Sequence, residues 1–210
     1  MIGDSHGAQW FPALEQYAKN TNKKLVTFTK SGCPATDLAL LRGGITDREC
    51  SRWQSVLPKQ LAAEKPQYVI ISDATQITAK VASPTTSYVD TWSAGFSSFM
   101  GKLQAEGLKV VVIGDTPYPG QNSPSCLSVH VSDPTHCDVS RTRTPASLAT
   151  KEIALKFGAT FIDPLDWICT GDICPAVKGG VNVYRDNSHL SVAFTRTLVA
   201  QLSAALNKVA

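Results

Sequence analysis

A serine hydroxyl becomes a nucleophile when a nearby base takes its proton and a third group orients that base. The 210-residue sequence carries such a set at its two ends. Ser5 stands in Gly3-Asp4-Ser5-His6-Gly7, and His189 stands in Tyr184-Arg185-Asp186-Asn187-Ser188-His189-Leu190. Asp186 precedes His189 by three residues, and residues i and i+3 of a single turn lie on one side. Asp186 is therefore expected to hold one ring nitrogen and leave the other for Ser5. A structural reading competes: Asn187 or Ser188 caps the last helix, with His189 in its first turn. The remaining histidines suit the role less. His6 points away from Ser5 if its turn is tight, and His130 and His136 read as solvated loop residues.

These residues need elements to bring them together. Four short apolar runs, 25–28, 68–71, 110–113 and 160–162, are flanked by polar or turn residues, as buried parallel strands are. Met1-Ile2 reads as the stump of a further strand ahead of Ser5. Helical spacing recurs between the runs, at 8–18, 48–63, 89–103, 148–157 and 190–206. Alternation of strand and helix predicts an α/β fold, a three-layer sandwich around a flavodoxin-like parallel sheet. In such sheets ligands sit beyond the carboxyl ends of the strands. Ser5, the segment 29–32, Ser72-Asp73 and Gly114-Asp115 all fall there. Two stretches match no element: 116–145, with five prolines, two cysteines and two histidines, and 163–187, with Cys169, Cys174 and Gly179-Gly180.

Composition narrows the function. The apolar share is 43%, the charged share 18% and the formal net charge +3. A disordered chain needs little apolar content and much charge, so this chain folds, by length as one domain over 1–210. No apolar run approaches the ~18 residues of a membrane helix, and no Lys/Arg cluster argues for nucleic acid. Six cysteines allow 15 pairings. Local pairing is the simplest: Cys33–Cys50, Cys126–Cys137 and Cys169–Cys174, which implies an oxidising compartment. The rivals are zinc at Cys126, His130, His136 and Cys137, in an unusual spacing, and free buried thiols. Trp10, Trp53 and Trp92 fall on apolar helical faces and read as core. Trp167, in the irregular stretch near His189, is the better substrate contact. Arg141, Arg143 and Arg185 read as solvated loop charge, with an anionic glycan as the alternative partner.

The five residues around Ser5 fit the Gly-x-Ser-x-Gly elbow of α/β-hydrolases, but that elbow follows several strands and here two residues precede it. The set instead resembles the SGNH (GDSL-like) hydrolases. Gly3-Asp4-Ser5-His6 is similar to their first block, Ser31-Gly32-Cys33-Pro34 to the second and Asp186-x-x-His189 to the last. Gly-Cys-Pro, the segment Gly114-Asp115-Thr116-Pro117 and the cysteine pair ahead of Asp-x-x-His-Leu resemble one subgroup, the SGNH domain fused behind an acyltransferase-3 membrane domain. The resemblance implies a Ser5–His189–Asp186 triad and an acyl-serine intermediate, with no metal or cofactor. It implies an oxyanion hole at the backbone of Ser5 and Gly32. The family's third block supplies an Asn to that hole, and Asp73 stands nearest to its place. A monomeric O-acetyl esterase or transferase acting on a surface glycan is thus expected. Its acyl donor would arrive through a transmembrane acyltransferase-3 domain of the same chain, absent from this piece, so the location is extracytoplasmic. Two other readings rest on the same residues. One is a silent glycan-binding module, motivated by the missing Asn. The other is a phosphotransfer-like acidic pocket of Asp4, Asp73 and Asp115 with Lys30.

Overall fold

The computed structural model describes residues 1–77, 80–82 and 85–209. In chain order the elements begin with β1 (Ile2–Gly3), α1 (Ser5–Ala8), α2 (Phe11–Asn20), β2 (Phe28–Thr29), β3 (Leu41–Arg42) and β4 (Ile45–Thr46). Then come α3 (Arg48–Ala63), β5 (Val69–Ser72), α4 (Tyr88–Ala105), β6 (Val110–Ile113) and α5 (Ser123–Val129). After a 3-10 turn at Pro134–Cys137 follow β7 (Val139–Ser140), α6 (Pro145–Lys156), β8 (Thr160–Ile162) and α7 (Leu165–Ile168). The chain ends with β9 (Ile173–Cys174), β10 (Val177–Lys178), β11 (Val181–Asn182), α8 (Val192–Thr197) and α9 (Val199–Leu206). Two compact units form. One comprises Met1–Gly7, Thr27–Asp115 and Thr144–Ile162; the other comprises Ala8–Val26, Thr116–Arg143 and Asp163–Ala210.

The first unit holds a five-stranded, wholly parallel sheet in the order β2-β1-β5-β6-β8. Counted along the chain this is 2-1-3-4-5, the flavodoxin-like order, and the direction of winding reverses between β1 and β5. The expected α/β class and sheet are therefore present. The strands at 110–113 and 160–162 fall where the apolar runs put them. Of the run 25–28 only Phe28 joins a strand, because β1 offers just Ile2 and Gly3 as partners. On α4, Trp92, Phe96, Phe99 and Leu103 recur at helical spacing and are fully buried, and Trp92 Nε1 donates to Thr150 Oγ1 of α6 at 2.8 Å. Helix α6 starts three residues earlier than its apolar pattern, because Thr144 caps it and Pro145 supplies a preset first turn.

In the second unit α2 packs against α8 and α9. The expected single helix 190–206 is instead two, parted at Leu198. The Thr195 and Thr197 hydroxyls return to the carbonyls of Val192 and Phe194, a competition that weakens a helix. The cap is Ser191, which accepts from Phe194 N, and not Asn187 or Ser188. The stretch 116–145 is not structureless: it holds α5, the 3-10 turn and β7, and β7 pairs antiparallel with β9. Three disulfides, Cys33–Cys50, Cys126–Cys137 and Cys169–Cys174, use all six cysteines. Among the described residues no helix is long and apolar enough to cross a membrane.

Candidate active site

The turn after β1 lies at the point where the sheet's winding reverses. Residues 1–7 are buried except Ser5, the first residue of α1, which is partly open to solvent. Glycine is required on both sides of it. A Cβ on Gly3, whose φ is +140°, would lie 1.9 Å from the Ser72 carbonyl oxygen, and one on Gly7 would lie 2.7 Å from the same atom. The turn is thus pressed against the end of β5.

Three buried carboxyls hold it there. Asp4 accepts from His6 N at 2.8 Å and Ala74 N at 3.2 Å. Asp73 Oδ1 accepts from Asp4 N and from Ala35 N, both at 3.0 Å, and so ties the loop after β1 to the loop after β2. Asp73 Oδ2 is buried with no hydrogen-bond partner among the described residues. Burial, then the neighbouring Asp4, pushes the Asp73 carboxyl well above the usual carboxylate range. Asp4 is also raised, chiefly by burial. Asp115 faces the same burial, yet it sits below its ordinary value. His6 Nδ1 lies 2.7 Å from its Oδ1, and Thr75 N and Oγ1 donate to its Oδ2 at 2.7 and 2.8 Å. Asp4, Asp73 and Asp115 are all buried, so these three do not form the open acidic pocket of the phosphotransfer kind. Gly32 follows β2 in the left-handed region, φ +68°, next to disulfide-bonded Cys33.

The second unit brings Asp186 and His189 together. His189 Nδ1 meets Asp186 Oδ2 at 2.8 Å, and Asp186 Oδ1 accepts from His189 N at 2.7 Å and Ser188 N at 2.9 Å. Burial would raise this carboxyl, but the backbone donors and His189 outweigh it and hold it low. Arg185 Nε lies 3.5 Å from Asp186 Oδ2. The turn closes a narrow hairpin through a Tyr184–Leu190 bridge. Gln9, which the sequence reading passed over, accepts from Leu190 N at 2.7 Å. No local motif marks that bond, since its partners lie 181 residues apart.

Other candidates take quieter positions. Trp10 is fully buried and meets Trp167 edge to face, with ring centroids 6.2 Å apart; Trp167 stays half-buried. Arg141 pairs with Asp166 and Arg143 with Asp163. His130 and His136 stack face to face at 4.7 Å beside the Cys126–Cys137 bridge. With those sulfurs bonded to each other, the zinc set proposed from spacing is replaced by a disulfide. Among the described residues no three His, Cys, Asp or Glu side chains converge as metal ligands.

The sequence matches the family model described as SGNH domain (fused to AT3 domains) over residues 1–204. Comparison with curated proteins gives no match. Among solved structures, the lipopolysaccharide acetyltransferase periplasmic domain of Salmonella ser. Paratyphi A aligns with TM-score 0.76 and 17% identity, over 99% of this chain and 82% of that one. A GDSL-like lipase from Bacteroides thetaiotaomicron aligns with TM-score 0.61 and 13% identity, over 100% and 87%. An aryl esterase of M. Smegmatis aligns with TM-score 0.53 and 18% identity, over 96% and 85%. At these identities the likeness is one of fold.

Proposed function

The chain belongs to the family of SGNH domains fused to AT3 domains, and we propose that within its acyl-esterase and acyltransferase class it works through Ser5, His189 and Asp186. The observation that carries this reading is the Asp186–His189 couple, held at 2.8 Å through Nδ1, which engages that nitrogen with the carboxylate and supports Nε2 as the base for the serine. Ser5 Oγ attacks an acyl carbonyl while His189 Nε2 takes the hydroxyl proton. The oxyanion forms against the backbone N–H groups of Ser5 and Gly32. Collapse breaks the ester bond, His189 returns the proton to the departing alcohol, and an acyl-serine remains. Water then completes hydrolysis, or a sugar hydroxyl completes transfer.

Asp73 takes no direct part in this scheme. Its Oδ1 supports the reading differently, by tying together the two loops that carry Ser5 and Gly32. Burial, which favours its neutral form, also lessens the repulsion that an ionised carboxyl would exert on the oxyanion. Trp167 is proposed as a flank for the acceptor. The fusion named in the family description and the Salmonella relative support an acetyl group reaching a surface glycan, supplied by a transmembrane AT3 partner. Three disulfides suit the same extracytoplasmic setting.

Ser5→Ala should abolish cleavage of a small acetyl ester and labelling by a serine-directed phosphonate, read by intact-protein mass. Unchanged cleavage by Ser5→Ala would remove the site. A native chain that resists the phosphonate yet binds glycan would be a binding module instead.

A further inference from the structure

Gln9 is buried, only 6% exposed. Its Oε1 accepts from Leu190 N at 2.7 Å, and its Nε2 donates to Thr116 Oγ1 at 3.4 Å. The partners fix the amide's orientation, since a backbone N–H must face the oxygen. Leu190 directly follows His189 and is itself 1% exposed, so its N–H has no water to fall back on. The hairpin around the catalytic turn satisfies its inward groups by itself: Arg185 N donates to His189 O at 3.0 Å, and Ser191 N to Val183 O at 2.8 Å. Two further backbone bonds reach the turn from the 116–145 stretch. Gly120 N to Asn187 O spans 3.3 Å and Ser123 N to Asp186 O spans 3.4 Å. Gln9 makes the shortest of these three ties, and it is the one nearest the imidazole in sequence.

We propose that Gln9 is a positioning residue for the acid–base turn: by holding Leu190 N–H it fixes the backbone from which the His189 ring projects. The inference rests on the triad reading above. The bonds Gln9 makes reach Leu190 N and Thr116 Oγ1, so its effect on the reaction is exerted through His189. Without Gln9 the turn would keep its own hairpin, the Asp186 bonds to His189 and two long bonds, and the Asp186–His189 couple could shift as a unit. A displacement of about 1 Å at a reacting group costs about 100-fold in rate.

The test is hydrolysis of p-nitrophenyl acetate, with active sites counted by a fluorophosphonate. Gln9→Met keeps the size and removes both bonds, whereas Gln9→Glu keeps an oxygen for Leu190 N–H. In Gln9→Met, kcat per labelled site should fall about 10- to 100-fold, while KM shifts less than about threefold. Gln9→Glu should recover most of the loss. Gln9→Asn, which withdraws the oxygen by one methylene, is read in the same way should Gln9→Met not fold. A merely structural role would lower the number of labelled sites and leave kcat per site unchanged, and that result overturns the inference. So does a Gln9→Glu protein as slow as Gln9→Met. Ser5→Ala separates the two layers. An active Ser5→Ala ends the triad reading and this inference together, whereas an inactive Ser5→Ala beside an unimpaired Gln9→Met ends the inference alone.

Discussion

His6 and His189 each meet an aspartate through Nδ1, at 2.7 and 2.8 Å. Their surroundings differ. The side chains of His6 and Asp115 are each 3% exposed, while those of His189 and Asp186 are 18% and 32% exposed. An acid–base group must reach substrate, whereas a sealed pair holds structure. His6 N also donates to Asp4, so the residue after Ser5 is fixed at both its backbone and its ring. Removing one partner of a buried hydrogen bond leaves the other unsatisfied, at a cost of about 1–3 kcal/mol, and more where the group left behind is charged. His6→Ala should therefore lose stability on that scale in urea unfolding, while His130→Ala and His136→Ala stay within about 0.5 kcal/mol. Per folded molecule, His6→Ala should keep ester cleavage within about tenfold of the native chain, and His189→Ala should lose about 10⁴-fold or more. A His6→Ala protein of native stability and no activity would move the base to His6. Both couples contain the same residue types, so types alone did not separate them. Sequence separation did part of the work: Asp186 and His189 are three residues apart and legible as a turn, while His6 and Asp115 are 109 apart and were not paired.

Elements were legible where one signal decided them. The β6 run Val110–Ile113 is apolar and β-branched throughout, and α3 begins at a capping Asp47 and carries a clear apolar face, so both fall at their expected bounds. Elements were not legible where a side chain redirects the backbone, as Thr195 and Thr197 do in splitting α8 from α9, or where pairing is distant, as for β7 with β9. The loop after β2 shows what a covalent tie adds. Cys33–Cys50 joins it, next to Gly32, to the first turn of α3, where Cys50 N also donates to Asp47. Its closed loop spans 17 residues against 5 for Cys169–Cys174. Chain entropy then assigns about 3 kcal/mol to the first bridge and about 2 to the second. Replacing Cys33 and Cys50 together by Ala should lower Tm by roughly 6–12 °C by calorimetry, and by more than the Cys169/Cys174 replacement. Equal losses, or the reverse order, would show that the loop after β2 is held by its packing around Asp73 and not by the bridge.

At the scale of the whole molecule four carboxyls pull stability in opposite directions as pH changes. Asp115 and Asp186 are held below the carboxyl range, so the folded state binds fewer protons there than the unfolded chain. Their contribution is complete above the unfolded value of about 3.9 and is lost as pH falls from there through their folded values. Asp4 and Asp73 are raised, so the folded state binds more protons than the unfolded chain. Their contribution is complete below about 3.9 and is lost as pH rises toward their folded values. Stability set by these four groups therefore peaks in mildly acidic solution, and the urea midpoint should be higher near pH 5 than near pH 8. Each group limits the slope to about 1.4 kcal/mol per pH unit. Asp73→Asn isolates one of them. Asn keeps an oxygen for Asp4 N and Ala35 N and cannot ionise, so its stability relative to the native chain should improve steadily as pH rises above about 4. Parallel curves for the two proteins between about pH 4 and pH 8 would mean that Asp73 titrates alike folded and unfolded. The neutral Asp73 carboxyl of the proposed scheme would then have to be given up.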